Sequence, residues 1–368
     1  MKILIITSYS TGQGHKSITE AIAAQITGES VRVRVVDGFA IGNVIARVSG
    51  RIYNILAVYF PYLWDLIYKF CDAKKDFVNR LTVRSVEKGL LKVINDFMPD
   101  VIVSVHAAFV GSVIDILEKN DLHIPLISII ADLDNVTSLW SDKRAEAIIC
   151  PTLEAKRKML LAGLSDRLYV FGFPVREGFC RPEPIKPLAL EESDLPRALL
   201  ISGSQGSRRI KGIVKALLNN KICRLTVVTG SNSRLRRALE RDNAVEADKN
   251  LKILGFTPEL DKYMLQCDFV IARASPNVMM EAITLNKPII AIDAFHGQEK
   301  KNPEFLETHK LGVYCKTVRN LPGLINELTA NNQAKLNTIK YVQKQYAKSN
   351  ASQTIARFIL NRRHVGKP

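Results

Sequence analysis

Short runs of apolar, β-branched residues alternate along the chain with stretches of helical periodicity. In the first half, five runs predict strands, at Ile3–Thr7, Val31–Val36, Val101–Val105, Leu126–Ile130 and Ala147–Ile149. In the second half, five more predict strands, at Ala198–Ile201, Leu225–Val228, Leu251–Leu254, Phe269–Ala272 and Ile289–Ile292. Because strands that alternate with helices form parallel sheets, the pattern predicts two doubly wound α/β domains.

A stretch rich in proline and acidic residues separates the two series. Residues 176–197 contain four prolines and the run Glu191-Glu192-Ser193-Asp194, without helical or strand periodicity. We therefore predict an N-terminal domain over 1–175, a linker over 176–197 and a C-terminal domain over 198–346. Residues 347–368 are expected to form a basic helix that packs back on the N-terminal domain. Ligands of such folds bind beyond the carboxyl ends of the strands, so we expect the site in a cleft between the domains.

One segment of the N-terminal half is unusually aromatic. Residues 41–70 hold seven of the 26 aromatic residues of the protein. A helical stripe of apolar residues runs through its first part, at Ile41, Val44, Val48, Ile52, Ile55 and Tyr59. Two interpretations are open: an ordinary helix packed on the core, or an amphipathic segment in a membrane interface. In the second, Tyr59, Tyr62 and Trp64 would face the membrane.

The charge balance narrows the set of partners. The 368 residues include 52 Lys and Arg against 36 Asp and Glu, a net charge of +16, and half of this excess lies in residues 331–368. No helix-turn-helix, zinc-finger or aromatic RNA-binding signature accompanies the basic residues, so we do not expect nucleic acid as a partner. An anionic membrane surface fits better. The hydrophobic fraction of 47% excludes a disordered chain.

Neither a targeting segment nor a metal-binding cysteine motif stands out in the sequence. No apolar run approaches the roughly 18 residues of a membrane span, and the four apolar residues after Lys2 are too few for a signal peptide, so we expect a cytoplasmic protein. The six cysteines lie far apart in sequence, without the Cys and His spacing of a zinc site. We expect reduced thiols and no metal.

Two glycine loops carry candidate chemistry. Gly12-Gln13-Gly14-His15 follows the first strand and opens a helix, and Gly203-Ser204-Gln205-Gly206 repeats the design in the second half. Glycines let the backbone approach a ligand, and a helix N-terminus offers unpaired N–H groups to a diphosphate. His15 is either a general base or a structural, capped histidine. Asp132-Leu133-Asp134 has the spacing of a metal-binding DxD, but two carboxylates after a strand are common by chance, so we predict no metal here and expect Asp132 to face the cleft.

Five stretches, taken together, resemble one family. They are Gly12–His15, Asp37 with the aromatic segment ending at Trp64, Phe173-Pro174-Val175-Arg176, Gly203–Gly206 with Gly255-Phe256-Thr257, and Gly297–Asn302 preceded by Glu281. The sequence resembles GT-B glycosyltransferases of family 28, in the branch of diacylglycerol glucosyltransferases and monogalactosyldiacylglycerol synthases. The Gly203–Gly206 loop is similar to that of the related lipid-linked peptidoglycan GlcNAc transferase.

The resemblance implies an inverting, metal-independent transfer of a hexose or N-acetylhexosamine from a UDP-sugar to a lipid acceptor, with no cofactor. His15 would be the base and Asp132 a second catalytic candidate. Donor contacts would come from Gly14, Gly203, Ser204, Gln205, Gly206, Phe256, Arg273, Glu281, Gln298 and Glu299. Diacylglycerol is the expected acceptor, and the enzyme would bind peripherally at the cytoplasmic face of a membrane.

Two loops depart from the family pattern. Arg273–Asn277 lacks a pair of glycines before Glu281, and Ala131–Trp140 lacks a histidine and carries one inserted residue. These changes leave a polyprenyl-diphosphate acceptor and a non-catalytic UDP-sugar-binding membrane protein as alternatives. A UDP-sugar 2-epimerase is disfavoured, because Ser8-Tyr9-Ser10-Thr11 stands where we expect an Arg-Pro-Glu motif.

Overall fold

A computed structural model of the chain describes residues 1–180, 195–202, 210–241 and 249–362. These residues form two compact units. The N-terminal unit comprises Met1–Arg176, Phe295–Lys300 and Lys348–Pro368, and the C-terminal unit comprises Glu177–Ala294 and Lys301–Ala347. The short stretch Phe295–Lys300, called here the 295–300 segment, thus belongs to the N-terminal unit although the chain on both sides of it belongs to the C-terminal unit.

The N-terminal unit is built on a parallel sheet. Within the described residues its six strands, β1 to β6, are Lys2–Thr7, Arg32–Asp37, Val101–Ser104, Leu126–Ile129, Ala147–Cys150 and Leu168–Val170. They are ordered β2-β1-β3-β4-β5-β6, so β1 and β3 are neighbours and their carboxyl ends lie side by side. All four residues of β3, β4 and β5 are buried, as expected for parallel strands covered on both faces.

The C-terminal unit repeats this plan. Its described strands, β7 to β12, are Arg197–Ile201, Arg224–Val228, Leu251–Leu254, Phe269–Arg273, Ile289–Asp293 and Gly312–Tyr314. They are parallel and ordered β12-β11-β10-β7-β8-β9. The two predicted doubly wound sheets are confirmed, and each predicted strand appears within one residue of its expected bounds. The three-residue edge strands β6 and β12 were not predicted, because three residues give too little periodicity.

Helices connect the strands. In the N-terminal unit α1 to α6 and the last helix α14 are Gln13–Ala23, Val44–Tyr59, Pro61–Ala73, Lys75–Phe97, Gly111–Lys119, Leu153–Leu161 and Ala351–Asn361. In the C-terminal unit the described helices α7 to α13 are Glu177–Cys180, Ile210–Asn219, Ser233–Glu240, Leu260–Gln266, Pro276–Thr284, Asn302–Thr308 and Leu321–Tyr346. Glu177–Cys180 is a short helix inside the stretch predicted as an irregular linker. Arg197, predicted as the last residue of the linker, instead begins β7. Residues 181–194 of the predicted linker lie outside the described residues.

The last helix of the chain completes the N-terminal unit. Helix α14 packs on α1, and Ser352 Oγ donates to the carbonyl oxygen of Val175 at 2.9 Å. Just after α14, Arg362 donates to Glu146 at 2.6 Å and to the Tyr169 hydroxyl at 2.8 Å. These contacts join the end of the chain to the sheet that begins with β1.

Helix α2 packs in an unusual way. Its buried face consists of small residues, with Ala46 and Ala57 each 2% exposed and Gly50 buried between them. A Cβ atom at Gly50 would lie 2.3 Å from Ser10 Oγ, so this face sits against the β1–α1 loop. The large apolar side chains lie on the other side of the helix and are exposed. The interpretation of the apolar stripe as core-facing is therefore wrong: Val44, Val48, Ile52, Ile55 and Tyr59 are 44–70% exposed.

Candidate active site

The β1–α1 loop of the N-terminal unit is held by one carboxylate. Asp37, at the end of β2, accepts hydrogen bonds from Tyr9 N at 2.7 Å, Phe39 N at 2.9 Å and Ala40 N at 3.0 Å. Gly12 caps α1 with φ of 116°, a conformation that favours glycine. Residues Gly14 and His15 then lie in the first turn of α1, next to the end of β1.

His15 has a fixed tautomer. Its Nδ1 lies 2.7 Å from the carbonyl oxygen of Val105, the residue that follows β3. A carbonyl can only accept, so Nδ1 carries the proton and Nε2 is left as an acceptor. Burial lowers the pKa of His15 to about 4, although the Val105 hydrogen bond acts in the opposite direction. The ring is therefore neutral at pH 7, with an unprotonated Nε2 atom for which the described residues supply no partner.

A second histidine, His106, lies beside the first and was not among the predicted site residues. The rings of His15 and His106 are 4.6 Å apart between centroids. His106 Nδ1 accepts the Ala108 N–H at 3.2 Å, so in its neutral form His106 carries its proton on Nε2. Burial lowers the pKa of His106 well below its usual value, and His15 adds to this effect. Because β1 and β3 are adjacent, the histidine directly after β3 could have been found from the strand prediction.

Asp132 lies in the loop after β4. Its Oδ2 accepts the indole N–H of Trp140 at 2.9 Å. Burial raises the pKa of Asp132 to about 7, against the opposing effect of this hydrogen bond, and the negative charge of Glu299 adds to the rise. The group therefore titrates near neutral pH, where a carboxyl can both give and take a proton.

The 295–300 segment contacts helices α2 and α3. Trp64 Nε1 donates to Gln298 Oε1 at 3.2 Å, and Gln298 Nε2 donates to the Tyr53 hydroxyl. Asn135 Nδ2 donates to the carbonyl oxygen of Gly297 at 2.6 Å, and Tyr68 donates to the carbonyl oxygen of Asn135 at 2.6 Å. The segment is thereby bound to the aromatic helices and to the loop that carries Asp132.

Two neighbours of Gln298 complete this segment. Glu299 is 5% exposed and accepts the Phe295 N–H at 2.9 Å, which closes a tight turn. His296, which the sequence analysis did not single out, packs edge-on against Tyr62 with 5.2 Å between ring centroids. Two predicted site residues, Gln298 and Glu299, belong to this segment, and two more, Tyr62 and Trp64, contact it. A fifth, Asp132, is linked to it because the charge of Glu299 raises the pKa of Asp132.

In the C-terminal unit, Arg273 ends β10 at a register shift in its pairing with β11. The buried amide of Asn302 donates to the carbonyl oxygen of Ala274 at 2.8 Å and fixes the loop after it. Pro276 starts the following helix, α11, and Glu281 lies on its buried side, 3% exposed.

Other predicted donor residues are spread more widely. Phe256 follows β9 and is 75% exposed. Gly203, Ser204, Gln205 and Gly206 lie outside the described residues. Within the described ranges, no group of three or more His, Cys, Asp or Glu side chains is arranged to hold a metal ion.

Helices α2 and α3 present a broad apolar surface. Their exposed side chains include Val44, Ile45, Val48, Ile52, Ile55, Tyr59, Phe60, Tyr62, Leu63, Leu66 and Phe70. Tyr62 is 82% exposed, whereas Trp64 is half-buried by its contact with the 295–300 segment. No helix in the described part of the chain is long and apolar enough to cross a membrane.

Sequence comparison finds two family models that together cover most of the chain. Residues 13–175 match the family described as monogalactosyldiacylglycerol (MGDG) synthase, and residues 198–357 match the glycosyltransferase family 28 C-terminal domain. A relative from Glycine max, named probable monogalactosyldiacylglycerol synthase, chloroplastic, is 29% identical over 351 residues, which are 89% of this chain and 64% of that protein. Monogalactosyldiacylglycerol synthase 3 of Arabidopsis thaliana is 27% identical, over 91% of this chain and 76% of its own length.

Solved structures agree on the fold. MurG of Acinetobacter baumannii matches with a TM-score of 0.63 at 14% identity, over 98% of this chain and 99% of that one. A UDP-GlcNAc 2-epimerase from Neisseria meningitidis, bound to UDP-GlcNAc, matches with a TM-score of 0.60 at 13% identity, over 98% of this chain and 100% of that one. At these identities the likeness concerns the fold alone.

Proposed function

Since the chain belongs to the family 28 glycosyltransferases of GT-B fold, with an N-terminal region of the monogalactosyldiacylglycerol synthase type, we propose that it transfers a hexosyl group from a UDP-sugar to diacylglycerol. The relatives' names make galactose the first sugar to test, with glucose and N-acetylglucosamine after it. We place the reaction peripherally at the cytoplasmic face of a membrane, and we propose that it inverts the configuration at C1.

The observation that carries this proposal is the tautomer of His15. Its Nδ1 proton is bound to Val105 O, so Nε2 is available to take a proton from an acceptor hydroxyl. In the proposed step, that hydroxyl oxygen attacks C1 of the sugar while its proton passes to His15 Nε2. The bond from C1 to the diphosphate oxygen breaks, and UDP leaves from the opposite face with the electron pair.

The proposed donor contacts divide by chemistry. Carboxylates and amides are good partners for hydroxyls, so we assign Glu281 to the ribose and Gln298 and Glu299 to the sugar. Arg273 and, by resemblance, the Gly203–Gly206 loop are assigned to the diphosphate. Because negative charge can be offset by these groups, the proposed reaction uses no metal ion.

The exposed apolar surface of α2 and α3 supports a membrane location for the acceptor. Amphipathic helices with Tyr and Trp at their polar boundary lie in the interface between headgroups and acyl chains. Exposed basic residues occur on α2 at Arg47, directly after α3 at Lys74 and on α4 at Arg80. Each contributes about 1 kcal/mol of attraction to anionic lipid when well placed.

The test is a product assay with purified protein. UDP-galactose, UDP-glucose and UDP-N-acetylglucosamine are each combined with anionic vesicles that contain diacylglycerol, and UDP release and product mass are measured. We expect a glycosyldiacylglycerol, lost at least about 100-fold in His15→Ala. His123→Ala is the matched control, because His123 is 88% exposed and far from the β1–α1 loop in sequence.

The other outcomes are equally informative. Product that persists in His15→Ala would remove the base assignment and leave Asp132 as the candidate. Product only with a polyprenyl-diphosphate acceptor would replace diacylglycerol. UDP binding without any turnover would contradict the enzyme proposal and favour a binding protein.

A further inference from the structure

The amide of Gln298 is oriented by two aromatic side chains. A glutamine amide can be turned over, so that its oxygen and nitrogen exchange places at little cost. Here the indole N–H of Trp64, which can only donate, lies 3.2 Å from Oε1. The opposite end, Nε2, donates to the Tyr53 hydroxyl. Trp64 therefore fixes the orientation of the amide, with the oxygen toward the indole and the nitrogen toward Tyr53.

The two aromatic residues form a pair of their own. Tyr53 lies on α2 and Trp64 on α3, and their rings meet edge to face with 4.5 Å between centroids. Such a contact restrains both side chains. The ring contact lies where α2 packs on α3.

The backbone beside Gln298 is restrained as well. Gly297 has φ of +80°, and a Cβ atom there would lie 3.0 Å from Trp64 Nε1 and 3.1 Å from the Tyr68 ring. Its carbonyl oxygen accepts the Asn135 amide at 2.6 Å. The main chain at Gly297 is therefore held by α3 and by the loop that carries Asp132, and the Gln298 side chain is held by α2 and α3.

A further capacity for hydrogen bonding remains on the amide. An amide oxygen accepts two hydrogen bonds and an amide nitrogen donates two, and the aromatic pair uses one of each. One lone pair and one N–H are left side by side. Adjacent sugar hydroxyls, each able to donate and accept, match this pattern.

We propose that Tyr53 and Trp64 are positioning residues that orient Gln298 toward the hydroxyls of the donor sugar, and so make sugar recognition depend on the lipid-facing helices α2 and α3. This inference rests on the proposed function. The helices that carry the pair also carry exposed apolar residues, among them Ile52 at 45%, Ile55 at 52% and Leu63 at 47% exposure. Lipid binding to that surface acts on the same helices that hold Gln298.

The experiment compares the binding of UDP with that of UDP-sugar by calorimetry, with and without anionic vesicles, in wild type, Tyr53→Phe and Trp64→Phe. Each variant loses one hydrogen bond and keeps a ring. We expect affinity for the UDP-sugar to fall about 3- to 10-fold while affinity for UDP changes less than about 2-fold. Selectivity between UDP-galactose and UDP-glucose should fall as well. In wild type, vesicles should change UDP-sugar affinity more than UDP affinity.

A double-mutant cycle with Gln298→Ala separates positioning from general damage. If Trp64 acts through Gln298, Trp64→Phe has no further effect on UDP-sugar affinity in the Gln298→Ala background. Additive losses, or equal losses for UDP and UDP-sugar, would overturn the proposal. Lys69→Ala, measured without vesicles, is the control on α3, since the Lys69 side chain is 66% exposed and pairs with Asp65 and not with Gln298. Thermal unfolding of each variant confirms that it is folded.

Different results would contradict the proposed function and the positioning role of Tyr53 and Trp64. A wild-type protein that binds UDP but does not distinguish UDP-sugar from UDP, and forms no product, contradicts the proposed function. A wild type that selects its sugar, with Tyr53→Phe and Trp64→Phe that select it equally well, contradicts only the positioning role.

Discussion

The two units share one sheet plan and differ in their surfaces. Both have six described parallel strands in a doubly wound order. Of the large hydrophobic side chains exposed in the described residues, however, nearly all lie in the N-terminal unit, and only Phe256 and Tyr341 lie in the C-terminal unit. The difference arises from the connection between β2 and β3, where three helices, Val44–Tyr59, Pro61–Ala73 and Lys75–Phe97, replace one. The sheet therefore sets the fold, and an insertion in one crossover adds a different surface.

The units also differ in their titratable groups. His15, His106 and Asp132, whose pKa values burial shifts, belong to the N-terminal unit. In the C-terminal unit, the corresponding shifts fall on thiols and one lysine, Cys223, Cys267 and Lys287. We therefore expect mild acid to change the stability of the N-terminal unit and to leave that of the C-terminal unit nearly unchanged.

The prediction with the largest expected effect tests whether the exposed apolar side chains of α2 and α3 bind the membrane. Replacing Ile45, Ile55 and Leu66 together by aspartate should weaken binding to anionic vesicles by about 100-fold, because each loses apolar area and adds negative charge. Vesicle co-sedimentation measures this. Since all three side chains are exposed, thermal unfolding should stay nearly unchanged.

The matched change in the other unit is Tyr341→Asp, at a tyrosine that is 68% exposed. It should leave vesicle binding unaltered. Equal losses in both units would show that general charge, and not the α2–α3 surface, governs binding.

The next prediction separates His15 from Asp132. If neutral His15 is the base, kcat/KM falls only as the pH drops toward about 4, by about 10-fold per pH unit below that pKa. If the Asp132 carboxylate is the base, the fall begins near pH 7. A pH-rate profile on saturating vesicles, repeated with Asp132→Asn, decides between them: loss of a limb near pH 7 in that variant assigns the limb to Asp132.

A third prediction concerns the interior of the C-terminal unit. Asn302→Ala removes the bond to Ala274 O and leaves a buried carbonyl unpaired there, so the unfolding free energy should fall by about 1–3 kcal/mol. Because the same loop leads to Glu281, UDP affinity should fall too. Chemical denaturation and calorimetry measure the two effects, and Asn326→Ala on the surface of α13 provides the control. Unchanged UDP affinity in a destabilised variant would separate this loop from donor binding.

The smallest effects concern stability against pH. Lowered histidine pKa values mean that the unfolded chain binds more protons below pH 6.5, so His15 reduces stability as the pH falls from 6.5 toward about 4, and His106 acts in the same direction. Asp132 acts in the opposite sense, since its raised pKa adds stability that is present at low pH and lost as the pH rises through about 7.

Hydrogen exchange, followed for each unit, tests these signs. From pH 7 to pH 5 the N-terminal unit of Asp132→Asn should lose about 1 kcal/mol more stability than that of wild type, and His15→Gln should lose less. The C-terminal unit should respond equally in all three proteins. A stronger response there would contradict the assignment of the acid-sensitive groups to the N-terminal unit.

Local pattern predicted the sheets and the position of His15 well, because strand periodicity and a glycine loop before a helix are properties of neighbouring residues. It did not predict the partner of His15, since Val105 is 90 residues away.

The apolar stripe of α2 was harder to interpret. A helix normally buries its larger apolar residues, whereas this one buries Ala46, Gly50 and Ala57, and small residues contribute little to an apolar pattern.

The contacts of Gln298 could not be predicted either. Its motif lies in the second half of the sequence, where the residues on both sides form a strand and a helix of the C-terminal unit. Nothing local indicates that six residues between them belong with α2 and α3. The assignments of donor residues, drawn from resemblance, remain predictions.

The place of α14 in the N-terminal unit bears on how the protein is made. The contacts of Ser352 with Val175 and of Arg362 with Glu146 join the last helix to a sheet whose first strand leaves the ribosome more than 300 residues earlier. The C-terminal unit, formed from the intervening chain, has its six described strands available before α14 is synthesised. Of the two units, the one that begins first is thus completed last, because α14 cannot cover α1 until the C-terminal unit has been synthesised.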